Sequence, residues 1–247
     1  MSRARSVVIP GVRTPVLSVL VLCAASALGC QESGFDEAKE TARPLKVQHV
    51  LGESKVPGQA EAPATLSLEA LDDTLALEVE PVAARVAGGQ LPSYLRSPAG
   101  GVPLLEAGVL PPDDADVIIA SAPQSRREFI ELSAVAPTVV IDEGGAQWKL
   151  NLRLVGEGLG RTNDAEGLLS AYDEQLARVR ETLPPDAKVA GAYPDNSFAA
   201  ALLADAGVKL VARGRTGAKL NSSAWSGPGG ALAARAALAD LQRTLGR

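Results

Sequence analysis

The stretch from residue 116 to residue 183 constrains the fold more than any other part of this sequence. It opens with a short apolar run, residues 116–121, that is typical of a buried strand, and it continues through an arginine pair into a short polar helix. A second apolar run over residues 136–142 predicts another strand, and a long helical tract follows over residues 148–183. Strand, helix, strand and long helix form an α/β unit with a strut attached, so the predicted fold class is α/β.

Apolar runs on both sides extend this pattern into two lobes. Before the central stretch we predict two strands and a helix, over residues 64–68, 82–86 and 69–77. After it we predict two strands and two helices, over residues 188–193, 208–212, 197–206 and 231–245. The resulting plan has an N-terminal α/β lobe at residues 56–147, connecting helices at 148–183 and a C-terminal α/β lobe at 184–247. The last of these is short for a complete lobe.

The first 29 residues have the composition of a secretory signal. Arginines occupy positions 3, 5 and 13, and the apolar core at residues 16–28 is too short to span a bilayer. The core ends at Gly29 and Cys30, and a small residue before a cysteine in this setting resembles a bacterial lipoprotein signal. We predict that residues 1–29 are removed, that Cys30 is lipidated and that residues 30–55 form a tether. Ordinary secretion, with cleavage after a small residue, is the alternative.

Charge and histidine content exclude several classes of function. Loss of residues 1–29 removes three arginines and no acid, which takes the formal net charge from −5 to −8. An acidic surface argues against nucleic acid as a partner. The only histidine is His49, in or near the tether, so neither a Ser–His–Asp set nor a histidine-based metal site can be built in the folded part. We therefore predict no enzyme and no metal site, and any metal must arrive already chelated.

Four strings, taken in order and spacing, resemble the ferric-siderophore substrate-binding proteins of ABC importers, a helical-backbone class related to the cobalamin binders. The strings are residues 64–82, 116–121, 132–139 and 148–161. The resemblance implies two Rossmann-like α/β lobes joined by a long rigid helix, with the ligand in the cleft between them. The sequence departs from the family at Glu78, where a glycine is usual, and in the shortened C-terminal lobe.

Candidate ligand-binding residues follow from position and chemistry. Arg126 and Arg127 come just after a strand end that would face the cleft, and guanidinium groups suit anionic ferric complexes. Trp148 is expected either to stack on an aromatic ligand or to pack in the first lobe and so hold the helical tract at 148–183 in place. The resemblance places Tyr94 and Arg96 on a cleft-side loop, and Tyr193 follows the first strand of the second lobe.

The sequence therefore predicts an exported solute-binding lipoprotein that captures a ferric siderophore for an ABC iron importer. Its expected location is the periplasm or the outer surface of the cytoplasmic membrane, and its expected partners are the siderophore, the permease and the membrane that holds its lipid anchor. It is expected to be a monomer that needs no cofactor. Two alternatives remain: a truncated relative that acts as a surface interaction or scavenging module, and a cobalamin or heme binder of the same fold.

Overall fold

The computed structural model describes residues 43–122, 125–142 and 145–246. The predicted signal and the predicted lipidation site, Cys30, lie outside the described residues. None of the helices in the described ranges is both long and apolar enough to cross a membrane.

The described chain begins with a β-hairpin. Strands β1 (Leu45–His49) and β2 (Gly52–Val56) pair antiparallel. Val47 and Val56 point into the core, and the Ser54 hydroxyl donates to the Thr138 carbonyl oxygen at 2.7 Å. The hairpin thus occupies the last part of the segment predicted as tether, because Val47 and Val56 supply apolar surface that the lobe buries.

A four-stranded parallel sheet forms the centre of the N-terminal lobe. Its strands are β3 (Pro63–Thr65), β4 (Ala83–Ala84), β5 (Val117–Ser121) and β6 (Thr138–Ile141), in the order β4-β3-β5-β6. Helix α1 (Leu68–Ala76) follows β3, and helix α2 (Arg126–Val135) follows β5. Each helix begins after a serine, Ser67 or Ser125, whose hydroxyl accepts a backbone N–H of the first turn. These caps set the residue at which each helix begins.

Two antiparallel helices follow the sheet. Helix α3 (Trp148–Leu159) packs on β5 and β6, and helix α4 (Thr162–Thr182) runs back along α3. The turn between them needs Gly160, which has a φ of 69°, because a Cβ there would lie 2.1 Å from the Gly58 carbonyl oxygen. The predicted connecting tract at 148–183 therefore divides: α3 belongs to the N-terminal lobe, and α4, ~32 Å long at 1.5 Å per residue, runs on to the C-terminal lobe.

The C-terminal lobe is small. Strands β7 (Lys188–Ala190) and β8 (Lys209–Val211) pair in parallel around helix α5 (Phe198–Asp205), and Val189 forms a further bridge with Ala218. Helix α6 (Ala231–Leu245) closes the chain and packs on both α4 and α1. One continuous apolar core runs from Val47 through α3 and α4 to Leu241, so the short lobe shares its core with the rest of the chain. These features confirm the predicted α/β class with a shortened second lobe.

Helix α1 carries three buried carboxylates, and two of them, Asp72 and Asp73, hold the start of α6. Asp72 accepts the backbone N–H groups of Leu232 and Ala233 at 2.7 and 3.0 Å, and Asp73 accepts that of Ala231 at 2.8 Å. Glu69 accepts the side-chain amide of Asn151 at 2.9 Å. Burial raises the pKa of Glu69 to about 8 and also raises the pKa of both aspartates. The helix N-terminus is favourable for negative charge, but burial opposes full ionisation of all three groups.

The departure at Glu78 falls at the end of α1. Glu78 has a φ of 59°, the only positive value among non-glycine residues of the described chain. Its N–H donates to the Leu75 carbonyl, and the N–H of Val79 donates to that of Thr74. This pair of bonds is a Schellman ending, in which the left-handed position normally belongs to glycine. Glu78 therefore carries backbone strain that glycine would not.

We expect Glu78→Gly to raise the free energy of unfolding by about 1 kcal/mol, because glycine adopts the left-handed conformation without a Cβ clash. Urea denaturation at neutral pH measures the change. Glu78→Ala is the matched control: it removes the same side chain but keeps the Cβ, so it is expected to give no comparable gain. Equal stabilisation by both substitutions would show that side-chain charge, not backbone strain, sets the effect.

We expect the free energy of unfolding to fall as pH rises from about 5 to about 8. The pKa of Glu69 is raised from 4.5 to about 8 on folding. Between these values the folded state keeps a proton that the unfolded chain has already lost, so raising the pH favours the unfolded chain. Glu69→Gln keeps an acceptor for Asn151 without titrating. It is expected to flatten the slope and to raise stability at pH 8 on the order of 2 kcal/mol. Chemical denaturation at several pH values tests this, and an unchanged slope would refute it.

Candidate functional site

Two adjoining cavities open where strands of both lobes end. The larger, about 1210 Å³, is lined by loops that follow β7 and β8, and the smaller, about 700 Å³, by loops that follow β3, β4 and β5. Ser226, Gly227 and Pro228 line both. The carboxyl ends of parallel strands are the usual ligand position in α/β folds. We treat the two cavities as one cleft with a C-terminal and an N-terminal wall.

The C-terminal wall is positively charged. Arg213, Arg215 and Lys219 line it and are exposed, and none of the described residues that line it is Asp or Glu. None of the three forms an ion pair with an acid in the part of the chain that the structure describes. Unpaired cations on an acid-free concave wall attract anions, and guanidinium groups hold oxyanions by forked hydrogen bonds.

Two aromatic side chains belong to the same wall. The Tyr193 ring lies against Gly191, where an added Cβ would come 2.4 Å from the ring. Burial and the nearby Asp240 raise the pKa of Tyr193, so its hydroxyl remains a donor at neutral pH. Trp225 is 4% exposed, and its indole N–H donates to Asp240 at 3.0 Å. The wall thus offers a hydroxyl and aromatic surface beside its cations.

The N-terminal wall is more apolar and its charges are paired. Arg85 lies 3.8 Å from Glu128 and donates to the Val109 carbonyl oxygen at 2.5 Å. The rest of this wall contains several aliphatic side chains, among them Leu66, Leu68, Leu91 and Leu132. The cleft is therefore asymmetric, with free positive charge on one wall and apolar surface on the other.

The structure places the predicted arginine pair outside both cavities. Arg126 and Arg127 form the first turn of α2 and are exposed, and Arg127 pairs with Glu131 on its own helix at 2.8 Å. Glu128 and Leu132, farther along α2, do reach the cleft. The strand end before α2 faces the cleft as expected, but the helical turn directs the two arginines elsewhere.

Of the other predicted residues, only Tyr193 lines the cleft. Trp148 is 2% exposed and packs edge to face on Tyr172 and Phe198, at 4.8 and 6.0 Å between ring centroids. Of its two expected roles, the structure gives it the packing role. Tyr94 turns inward and hydrogen-bonds Asp72, and Arg96 is exposed and lines neither cavity.

The cations of the C-terminal wall were not singled out from the sequence. Arg213, Arg215 and Lys219 lie in the loop-rich segment after the strand at 208–212. The signal that led to Arg126 and Arg127, basic residues just after a predicted strand, is present there too. The sequence prediction does not include these cations, because no strand or helix pattern is recognisable between residue 212 and the closing helix.

Metal-ligand side chains do not cluster in the described ranges: no three of His, Cys, Asp and Glu come together in a way that could hold a metal ion. The described side chains of the cleft offer positive charge, hydrogen-bond donors and aromatic contact.

No family model matches the chain. Three known proteins that are similar to it are all named as siderophore-binding proteins. The probable siderophore-binding lipoprotein YfiY of Bacillus subtilis is 24% identical over 177 residues, covering 68% of this chain and 54% of that protein. The catecholate-siderophore binding protein VctP of Vibrio cholerae superposes with a TM-score of 0.57 at 18% identity, covering 81% of this chain and all of that chain. The triscatecholate siderophore binding protein FeuA of B. subtilis, solved with ferri-bacillibactin, gives 0.54 at 18% identity, covering 67% of this chain and 66% of that one.

The fold is that of the siderophore-binding proteins. This confirms the resemblance drawn from the four sequence strings. The chain spans only about half the length of the curated relatives that it matches, between 54% and 58%. Within the siderophore-binding fold, the cleft described above lies between the two lobes, at the strand ends of each.

Proposed function

We propose that this chain binds a ferric siderophore in the cleft between its lobes and delivers it to an ABC importer. The observation that carries the proposal is a wall with three cations and, among its described residues, no acid, in a fold shared with siderophore-binding proteins. Iron reaches such a cleft already chelated, so the protein supplies no metal ligands of its own. The siderophore complex is the ligand, and no cofactor takes part.

The charge distribution favours an anionic complex. Ferric catecholates and carboxylates carry net negative charge, whereas ferric trihydroxamates are neutral or positive. Arg213, Arg215 and Lys219 would face the oxygen atoms around the metal, and the apolar N-terminal wall would cover carbon-rich parts of the ligand. The half-buried Tyr193 ring suits an aromatic catechol ring, and Trp225 supports the wall from behind. A ferric tris-catecholate is therefore the best-matched probe.

Export and anchoring complete the proposal. The basic and apolar start of the sequence and the small residue before Cys30 support lipidation at that cysteine. YfiY, the relative described above, is named a lipoprotein. The mature protein would act as a monomer on the outer side of the cytoplasmic membrane, and its ligand would pass to a membrane permease.

We expect Arg213→Gln combined with Arg215→Gln to weaken binding of ferri-bacillibactin by at least about tenfold, because two charge-assisted contacts are lost. Isothermal titration calorimetry measures the dissociation constant. Wild-type affinity should also fall as salt is raised, since exposed charges are screened. A ferric trihydroxamate should bind more weakly than ferri-bacillibactin in the same buffer.

The double substitution Arg126→Gln, Arg127→Gln changes the charge by the same amount outside the cleft. It is expected to leave the dissociation constant within about twofold of wild type, as is usual for surface changes. Loss of binding in this pair with retention in the Arg213/Arg215 pair would favour the site predicted from the sequence. No binding of any ferric complex by the wild-type protein would refute the proposed function.

A further inference from the structure

Asp240 connects the last helix to the wall of the cleft. It lies on the inner face of α6 and is 5% exposed. One carboxylate oxygen, Oδ2, accepts three hydrogen bonds: the backbone N–H of Asn221 at 3.0 Å, that of Ser222 at 3.1 Å and the indole N–H of Trp225 at 3.0 Å. The other oxygen, Oδ1, faces the guanidinium of Arg243 at 3.3 Å.

The segment that Asp240 holds, residues 219–228, contributes to both cavities. Lys219, Leu220 and Trp225 line the larger cavity, Ser223 lines the smaller, and residues 226–228 line both. Its regular structure is limited to one 3₁₀ turn, Ser223–Ser226. A segment with so little backbone pairing needs side chains to fix its path.

Other contacts hold the two ends and one side of this segment. Upstream, Ala218 donates to the Lys188 carbonyl oxygen and so joins β7. Downstream, α6 begins at residue 231 under Asp72 and Asp73. At the side, the Ser223 hydroxyl accepts the backbone N–H of Ser93 at 3.1 Å. Between these points, Asp240 provides the contacts that turn residues 221–225 toward the cleft.

The negative charge of Asp240 is opposite in sign to the charges that line the larger cavity. Burial alone would raise its pKa, but the bonds from Ser222, Asn221 and Trp225 and the charge of Arg243 outweigh burial and keep the pKa below its ordinary value. The carboxylate is therefore ionised at neutral pH, beside a wall whose other charges are positive. The three hydrogen bonds that Asp240 accepts explain why a carboxylate lies here, because a negative charge would not attract an anionic ligand.

We propose that Asp240 is a positioning residue for ligand binding, which holds residues 221–225 so that Trp225 and the neighbouring Lys219 form part of the cleft wall. The inference rests on the proposed function, because the affinity it affects is that for a ferric siderophore. It adds a residue that does not line either cavity and that acts through the geometry of a segment that does.

Three substitutions separate geometry from charge. In Asp240→Asn the amide oxygen takes the place of Oδ2 and still accepts from the three donors. The amide nitrogen takes the place of Oδ1 and faces Arg243. The Arg243 side chain is mostly exposed and can move into water. The affinity of Asp240→Asn for ferri-bacillibactin is expected to equal or exceed that of wild type. Asp240→Ala removes the acceptor and is expected to lose at least about tenfold. Asp240→Glu keeps the charge but displaces the carboxylate by one methylene, so it is also expected to bind more weakly.

The two tryptophans provide an internal check on folding. A ¹⁵N–¹H spectrum resolves one indole signal for Trp225, whose N–H donates to Asp240, and one for Trp148, which packs on Tyr172 and Phe198 in the core. In Asp240→Ala the Trp225 signal is expected to shift, while the Trp148 signal stays in place. Arg243→Gln is the matched control on α6: it touches only Oδ1, so it is expected to change neither the affinity nor the Trp225 signal appreciably.

Wild-type affinity in both Asp240→Ala and Asp240→Glu would overturn the inference while leaving the proposed function intact. A loss in Asp240→Asn as large as that in Asp240→Ala would also overturn it, since charge would then be the decisive property. Absence of binding by the wild-type protein would refute the proposed function and this inference with it.

Discussion

The fold depends on the contact between the carboxylates of α1 and the N-terminus of α6. Asp72 and Leu232 are 160 residues apart in sequence, and their hydrogen bond joins the first lobe to the last helix. Three backbone N–H groups that a helix start leaves unpaired are satisfied there by two carboxylates. Close approach requires Gly230, because a Cβ at that position would lie 2.6 Å from oxygen atoms of both aspartates. Since α6 also carries Asp240, the position of this helix determines where the cleft wall lies.

This arrangement explains how a short second lobe remains folded. A sheet of two strands and one helix buries too little apolar surface to be stable alone. Here α5 is fastened to α3 and α4: the Asp205 carboxylate pairs with Lys149 at 2.8 Å and accepts from the Tyr172 hydroxyl at 2.9 Å, and the Asp205 carbonyl oxygen accepts from Arg180. The apolar core continues from α3 and α4 into the lobe without a break. The missing elements therefore reduce the size of the lobe but leave the loops that face the cleft.

Local patterns predicted most of the elements, and they failed where a side chain's direction depends on the tertiary arrangement. The apolar runs at residues 116–121 and 136–142 were sufficient to place two strands of the sheet. Arg126 and Arg213 both follow a strand that ends at the cleft, and chemistry alone does not distinguish them. The difference is that Ser125 caps α2 at once, so Arg126 turns away on the first helical turn, whereas Arg213 lies in a glycine-rich loop with no helix to redirect it. Likewise, Trp148 and Trp225 are both buried, but only the second has the cleft on one side.

The net charge of this protein and the charge of its cleft have opposite signs. The chain is acidic overall, with a formal charge of −5, yet the described residues that line the larger cavity include three cations and no acid. At physiological salt, charges more than about 8 Å from a ligand are largely screened, so the wall and not the whole surface determines what the cleft attracts. Two acids beside the cleft are paired with neighbours: Glu128 faces Arg85, and Asp240 accepts three hydrogen bonds and faces Arg243. An acidic exterior with a basic cleft favours a compact anion that fits the cleft over extended polyanions, which would also meet the repulsive surface.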